Sequence, residues 1–131
     1  MSAKEIRTAI KAHVTSAIAG AWAMPNVPEP GALPRYEFEM VAADRIGLLA
    51  PGEGVRENGR FQLTAVTDAG EGEGAALTMA DALAGAVPDG LWLTFASGRL
   101  RIMGPPSARP GYRDGPEWRV PVLVKYTAYL P

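Results

Sequence analysis

The chain contains no cysteine, which excludes disulfides, thiolate metal sites and a thiol nucleophile and leaves packing, or packing plus assembly, to hold the fold. Histidine is nearly absent too. His13 is the only one, so any metal site or Ser/His pair must use it. On a helix its neighbours four residues away are Ala9 and Ala17; neither is a ligand, and a helix-flank histidine beside the core is the reading that fits. No run approaches the roughly 18–20 apolar residues that a membrane span needs, so a soluble protein without membrane contact is expected. An excess of either charge is also missing. Thirteen Lys and Arg face 14 Asp and Glu, for a formal net charge of -1, which removes the usual electrostatic argument for wrapping nucleic acid but leaves room for a local basic patch.

What the chain does have is enough apolar substance for one core: 131 residues, 47% of them hydrophobic, fit a single domain over 1–131. Ser2 followed by Glu5 is a capping-box pattern, and Ile6, Ile10, Val14 and Ile18 recur every four residues. This predicts an amphipathic helix from about Ala3 to Ala21, with Trp22 closing its buried stripe, rather than a cleaved leader. Prolines at 25, 28, 30 and 34 make the next segment an extended connector. Alternation predicts strands over Arg35–Ala42, with Tyr36, Phe38 and Met40 on one face, and over Arg60–Thr67. Between them, Asp44–Asn58 is read as a long loop around Pro51, Gly52 and Gly54.

Helical spacing returns over Ala75–Val87, with Leu77, Ala80, Leu83, Ala84 and Val87 on one side. Leu91–Phe95 and Arg99–Met103 flank a short glycine-containing connection suited to a hairpin. Gly104–Glu117, rich in Pro and Gly, reads as a second long loop. Trp118–Leu130 is the longest alternating strand; Pro121 cannot donate to a ladder, so that end is expected at an edge or a bulge. The order α-β-β-α-β-β-β resolves into an α+β fold: one mixed, largely antiparallel sheet of about five strands with two helices packed on a face.

Chemistry is hard to find in this pattern. Gly70, Gly72 and Gly74 follow a strand and open a helix, but they alternate with Glu71 and Glu73, Ala75 stands where a dinucleotide fingerprint needs Gly, and no Gly-Lys-Ser/Thr follows. Two carboxylates there would repel phosphate and favour the helix dipole. Glu37/Glu39 and Glu71/Glu73 have the residue type for acid–base work, yet they read as solvated surface. No catalytic residue, cofactor or metal is expected, and the chain is read as a non-enzyme. Five arginines, Arg99, Arg101, Arg109, Arg113 and Arg119, fall within 21 residues. Either they form an ordinary solvated sheet face, or they contact a neighbouring copy, where Glu37, Glu39, Glu71 and Glu73 would be carboxylate partners.

From Asn58 onward the chain resembles the tail-terminator proteins of long-tailed bacteriophages and gene transfer agents. The resemblance is carried by NGRFQLTAVTDAGEGEG, AALTMADALAGAVP, RIMGPPS and WRVPVLVKYTAY, with an amino-terminal helix and the connector MPNVPEPGALP before them. It implies a virion tail protein, assembled in the bacterial cytoplasm. Such a protein forms a ring, usually of six subunits, that caps the tail tube, stops polymerisation and offers a surface for head docking. Its implied partners are further copies of itself, the tail tube protein and a head-completion or neck protein, with DNA only passing through the lumen and no cofactor. Another head–tail joining subunit is the alternative, and a small enzymatic or ligand-binding domain a more distant one. On the ring reading, Arg99, Arg101, Arg109, Arg113, Arg119, Glu37, Glu39, Leu48 and Leu49 are expected at subunit or tube contacts. Glu71 and Glu73 are expected to face the lumen, where an acidic lining would let DNA pass.

Overall fold

The computed structural model describes residues 2–20, 22–23, 33–47, 55–71, 73–96 and 98–130, with backbone alone at 2–3, 23, 45–47, 71 and 130. The expected loop tips at Leu48 and Leu49 lie outside the described residues. The elements, in chain order, are α1 (Ser2–Ala17), β1 (Trp22–Ala23), β2 (Arg35–Gly47), β3 (Val55–Asp68), a single 3-10 turn (Ala69–Glu71), α2 (Gly74–Ala86), β4 (Trp92–Phe95), β5 (Gly98–Ile102), β6 (Ser107–Ala108), β7 (Tyr112–Asp114) and β8 (Glu117–Leu130). The fold is α+β, as the hydrophobic periodicities predict.

One mixed sheet, in the order β1-β2-β3-β8-β5-β4, has β6 and β7 also paired to β8. Among the described residues only the β1–β2 pairing is parallel. Phe38, Phe61, Leu63, Ala65, Leu100, Ile102, Val120, Val122, Val124 and Ala128 point to one face and are buried. Against them pack Ile6, Ile10 and Val14 of α1 and Ala76, Ala80 and Leu83 of α2, all essentially inaccessible. α2 lies over β3 and β8, and α1 reaches β4.

Several sequence expectations are corrected. The Asp44–Asn58 stretch is mostly strand: Ala42–Gly47 pairs with Val55–Arg60, after a register shift between Met40 and Ala42. The prolines and glycines that suggest a loop are confined to 51–54, outside the described residues, and say nothing against strand on either side of them. Gly104–Glu117 is not a free loop either, because β6 and β7 fold back along β8. β8 is therefore an interior strand with Pro121 buried in it, paired to Thr64 on one side. The Pro121 carbonyl accepts the Arg109 N–H at 2.8 Å. In an antiparallel ladder the N–H and C=O of a residue face the same neighbour, so the missing donor falls where residues 109–111 interrupt β6 and β7 and costs the ladder nothing.

The first helix stops at Ala17, four residues short of the expected end. Gly20 adopts φ +140°, a conformation that favours glycine. Trp22 thereby leaves the helical stripe for β1, where its ring stacks on Tyr36 at 5.1 Å and its indole N–H donates to the Ile18 carbonyl at 3.2 Å. In α2 the buried stripe is Ala76, Ala80, Leu83 and Val87, and Leu77 is 47% exposed; the helix turns its small side to the sheet.

Gly59 shows why one strand position must lack a side chain. It faces Tyr126 across the β3–β8 ladder, and a Cβ there would overlap the Tyr126 ring. The ring lies over the glycine, and its hydroxyl donates to the buried Glu57 carboxylate at 2.8 Å. Gly59→Ala should destabilise the fold by about 1–3 kcal/mol, the usual cost of overpacking a filled site, as a lower midpoint in urea unfolding.

Candidate functional site

The face of the sheet away from the helices carries the chain's organised charge. Residues in register across β2, β3 and β8 share a face, so Arg35, Val66 and Arg119 form one row, Glu37, Thr64 and Pro121 the next, and Asp68 and Glu117 a third. Arg35 Nη2 lies 2.8 Å from Glu37 and 2.9 Å from Glu117. Arg119 closes the ring, 3.0 Å from Glu117 and bonded through Nη2 to Glu37. Four groups of alternating sign thus bridge β2 to β8 over the intervening β3. This explains why Val66 and Thr64, on the face expected to meet water, are 0% and 3% exposed.

Glu37 and Arg119, expected to meet a neighbouring copy, are therefore held by partners of their own chain. Burial alone would raise the Glu37 pKa. The hydrogen bonds and charges of Arg119 and Arg35 outweigh it and hold the carboxyl below its usual value. Burial would likewise lower Arg119, but the hydrogen bond and charge of Glu37, with a smaller contribution from Tyr112, raise it above the usual guanidinium value.

A second cluster sits near the β4 edge of the same face. Arg99 and Arg101 lie with their guanidinium carbons 4.7 Å and 5.9 Å from the Trp92 ring centre, within cation–π range. Trp92 also contacts Tyr129 at 5.9 Å between ring centres. Trp92 and Tyr129 are 43% and 40% exposed. Sequence spacing anticipates Arg99 and Arg101 on one face but not the aromatic surface under them, because that surface is made by register between three strands.

The remaining expected residues are scattered. Glu39 is exposed on β2, Arg109 is exposed just after β6, Arg113 is exposed on β7, and Glu73 is exposed immediately before α2. Glu73 makes no side-chain cap; the Glu71 side chain lies outside the described residues. His13 does not stand in any polar cluster: its Nε2 lies 2.6 Å from the Ala86 carbonyl, tying α1 to the end of α2. Among the described residues no three His, Cys, Asp or Glu side chains gather to hold a metal ion, and no helix is long and apolar enough to cross a membrane. The hollow between α1 and β4 is lined by Lys4, Glu5, Thr8, Ala12, Thr94 and Phe95 among others.

Glu37→Gln keeps the shape and removes one charge from the ring, and should cost about 1–3 kcal/mol by leaving arginine under-paired. Because the folded-state pKa of Glu37 is depressed, its contribution is complete above the ordinary carboxylate range and is lost as pH falls through that depressed value. Unfolding free energies of the parent and variant, measured against pH, should differ at neutrality and converge in acid; a constant gap would contradict this assignment.

The profile of the family described as phage tail terminator protein matches residues 5–126. No curated protein sequence matches the chain. One solved structure, of a protein carrying no functional name, superposes with a TM-score of 0.74 at 24% identity, over 100% of this chain and 98% of that one. A chain from the solved virion of a native gene transfer agent particle superposes with a TM-score of 0.63 at 18% identity, over 97% and 96%. These likenesses show a shared fold, and the profile shows the lineage: the chain belongs to the phage tail terminator family and has a structural role in tail assembly.

Proposed function

We propose that six copies of this chain close into a ring that caps the finished tail tube, halts its polymerisation and presents a surface for head docking. The observation that carries this reading is the family match over residues 5–126, which takes in both helices and nearly the whole sheet. The fold offers the means. A ring subunit needs two unlike patches that meet head to tail around a closed axis, plus a face for the tube, and the two ends of this sheet differ in charge and composition. The partners are other copies, the tail tube protein and a head-completion or neck protein. The site of action is the virion tail.

On this reading Arg99, Arg101, Arg109, Arg113 and Glu39, all exposed, serve at subunit or tube contacts. Glu37 and Arg119 stiffen the face between those contacts. Leu48 and Leu49 touch the tube. Glu71 and Glu73 line the lumen, where acids would let DNA pass without holding it. Added to polymerising tail-tube subunits, the protein should shorten the tubes and label one end of each. Tubes of unchanged length with unlabelled ends would refute termination, and labelled ends with unchanged length would instead indicate a joining subunit.

A further inference from the structure

The charge balance of the whole chain hides a segregation that register brings out. On the helix-free face, Arg60 of β3 stands directly opposite Lys125 of β8, and Arg56 opposite Tyr129. Tyr129 is itself opposite Arg99 of β5, and Arg101 is opposite Thr127. Five cations therefore share adjoining rows at one end of the sheet, spread over strands about 4.8 Å apart. Arg60, Lys125, Arg99 and Arg101 are exposed, and among the described residues none of the five is in an ion pair. Arg56 Nε is buried with no hydrogen-bond partner. Like charges directly opposite on a sheet are destabilising; the carboxylate in these rows, exposed Asp44 opposite Asn58, forms no ion pair with them among the described residues and leaves the patch net positive by four.

Taking these five from the 13 basic residues leaves eight against 14 acids, so the rest of the chain is net negative by six. At the far end of the same face Asp68, Glu117 and Asp114 fall in one row. Glu117 is spent on the ion-pair ring. Asp68 and Asp114 are exposed and have no cationic partner among the described residues; Asp68 accepts only the Gly70 N–H, at 2.8 Å. Of the arginines nearby, Arg35 and Arg119 in the next row are taken by Glu37 and Glu117, and Arg113 is on the opposite face by register and donates to the Gly115 carbonyl. Eight residues of strand separate Arg60 from Asp68, about 27 Å, so the two patches cannot neutralise each other within one subunit.

We infer that the basic–aromatic end of one subunit docks on the Asp68/Asp114 end of the next. This inference rests on the ring reading and names the surfaces that close the ring. Two observations favour a protein over DNA as the occupant. Arg99 covers the Trp92 ring, so that ring is not open for base stacking, whereas an exposed Trp, Tyr and Arg together are the composition of an interface hot spot. The remaining net charge would also repel a polyanion beyond the patch. Patches at opposite ends meet head to tail and need no two-fold axis, as a closed ring requires.

The test is a charge swap on the full-length chain, with particle mass read in solution and on tail-tube ends. R99E/R101E and D68K/D114K should each lose the assembled form that the parent shows. Mixed in equal amounts they should regain it with alternating subunits, because the reversed basic end of one then faces the reversed acidic end of the other. D68N/D114N, which keeps an acceptor for the Gly70 N–H, should weaken assembly and covers a failure of the lysine variant to fold. Parent rings that form and cap tubes, with either charge-reversed variant assembling equally well alone, would overturn this interface and leave the ring reading standing. A parent that assembles neither alone nor on tubes would overturn both. R99E/R101E that assembles normally but no longer retains a DNA duplex bound by the parent would assign the patch to nucleic acid and overturn the proposal.

Discussion

Fourteen residues of β3 and fourteen of β8 pair from Val55–Leu130 to Asp68–Glu117 without a slip, and every other part of the molecule takes its position from that ladder. A shift of β8 by one residue against β3 would exchange the two faces of β8, sending Val122 and Val124 to water and burying Lys125. The fixed register places Gly59 under Tyr126 and sets the rows along which charge is sorted. Because β8 also carries β5, β6 and β7, the segment rich in proline and glycine after β5 has a track to follow and needs no stability of its own.

The same ladder explains the unusual character of the outer face. An outward surface in an antiparallel sheet is ordinarily wet, but over Val66 and Thr64 the alternating ring of Arg35, Glu37, Arg119 and Glu117 acts as a lid. Such a ring adds little net stability in exchange for the desolvation of its members. It specifies which β2 residues stand over which β8 residues, and it leaves the charge of that region balanced. Unbalanced charge is pushed to the two ends of the face.

Much of the architecture was legible in the sequence. Both helices, the five main strands and their order follow from spacing, since periods of 3.6 and 2 are properties of the chain itself. The two stretches expected as loops differ for one reason: tertiary pairing extends a strand past the point where local composition recommends it. Val55–Asn58 and Ser107–Ala108 are strand because a neighbour offers hydrogen bonds. The site was less legible for a related reason. Arg99 and Arg101 are two residues apart, so alternation alone puts them on one face; Arg56, Arg60 and Lys125 join them only through register. Glu37 and Arg119 stand out by charge, but 82 residues separate them, and no local signal says that they find each other.

The amino-terminal segment has a mechanical character. α1 packs toward β4, at one margin of the sheet, and β1, which follows it directly, is hydrogen-bonded to β2 at the other. Trp22 on Tyr36 anchors the far end of this segment, and His13 on the Ala86 carbonyl fastens its middle to α2. It works as a tie across an arch: the two margins cannot splay or flatten independently while it is in place, so a load on one side of the sheet is carried to the other through the first 23 residues.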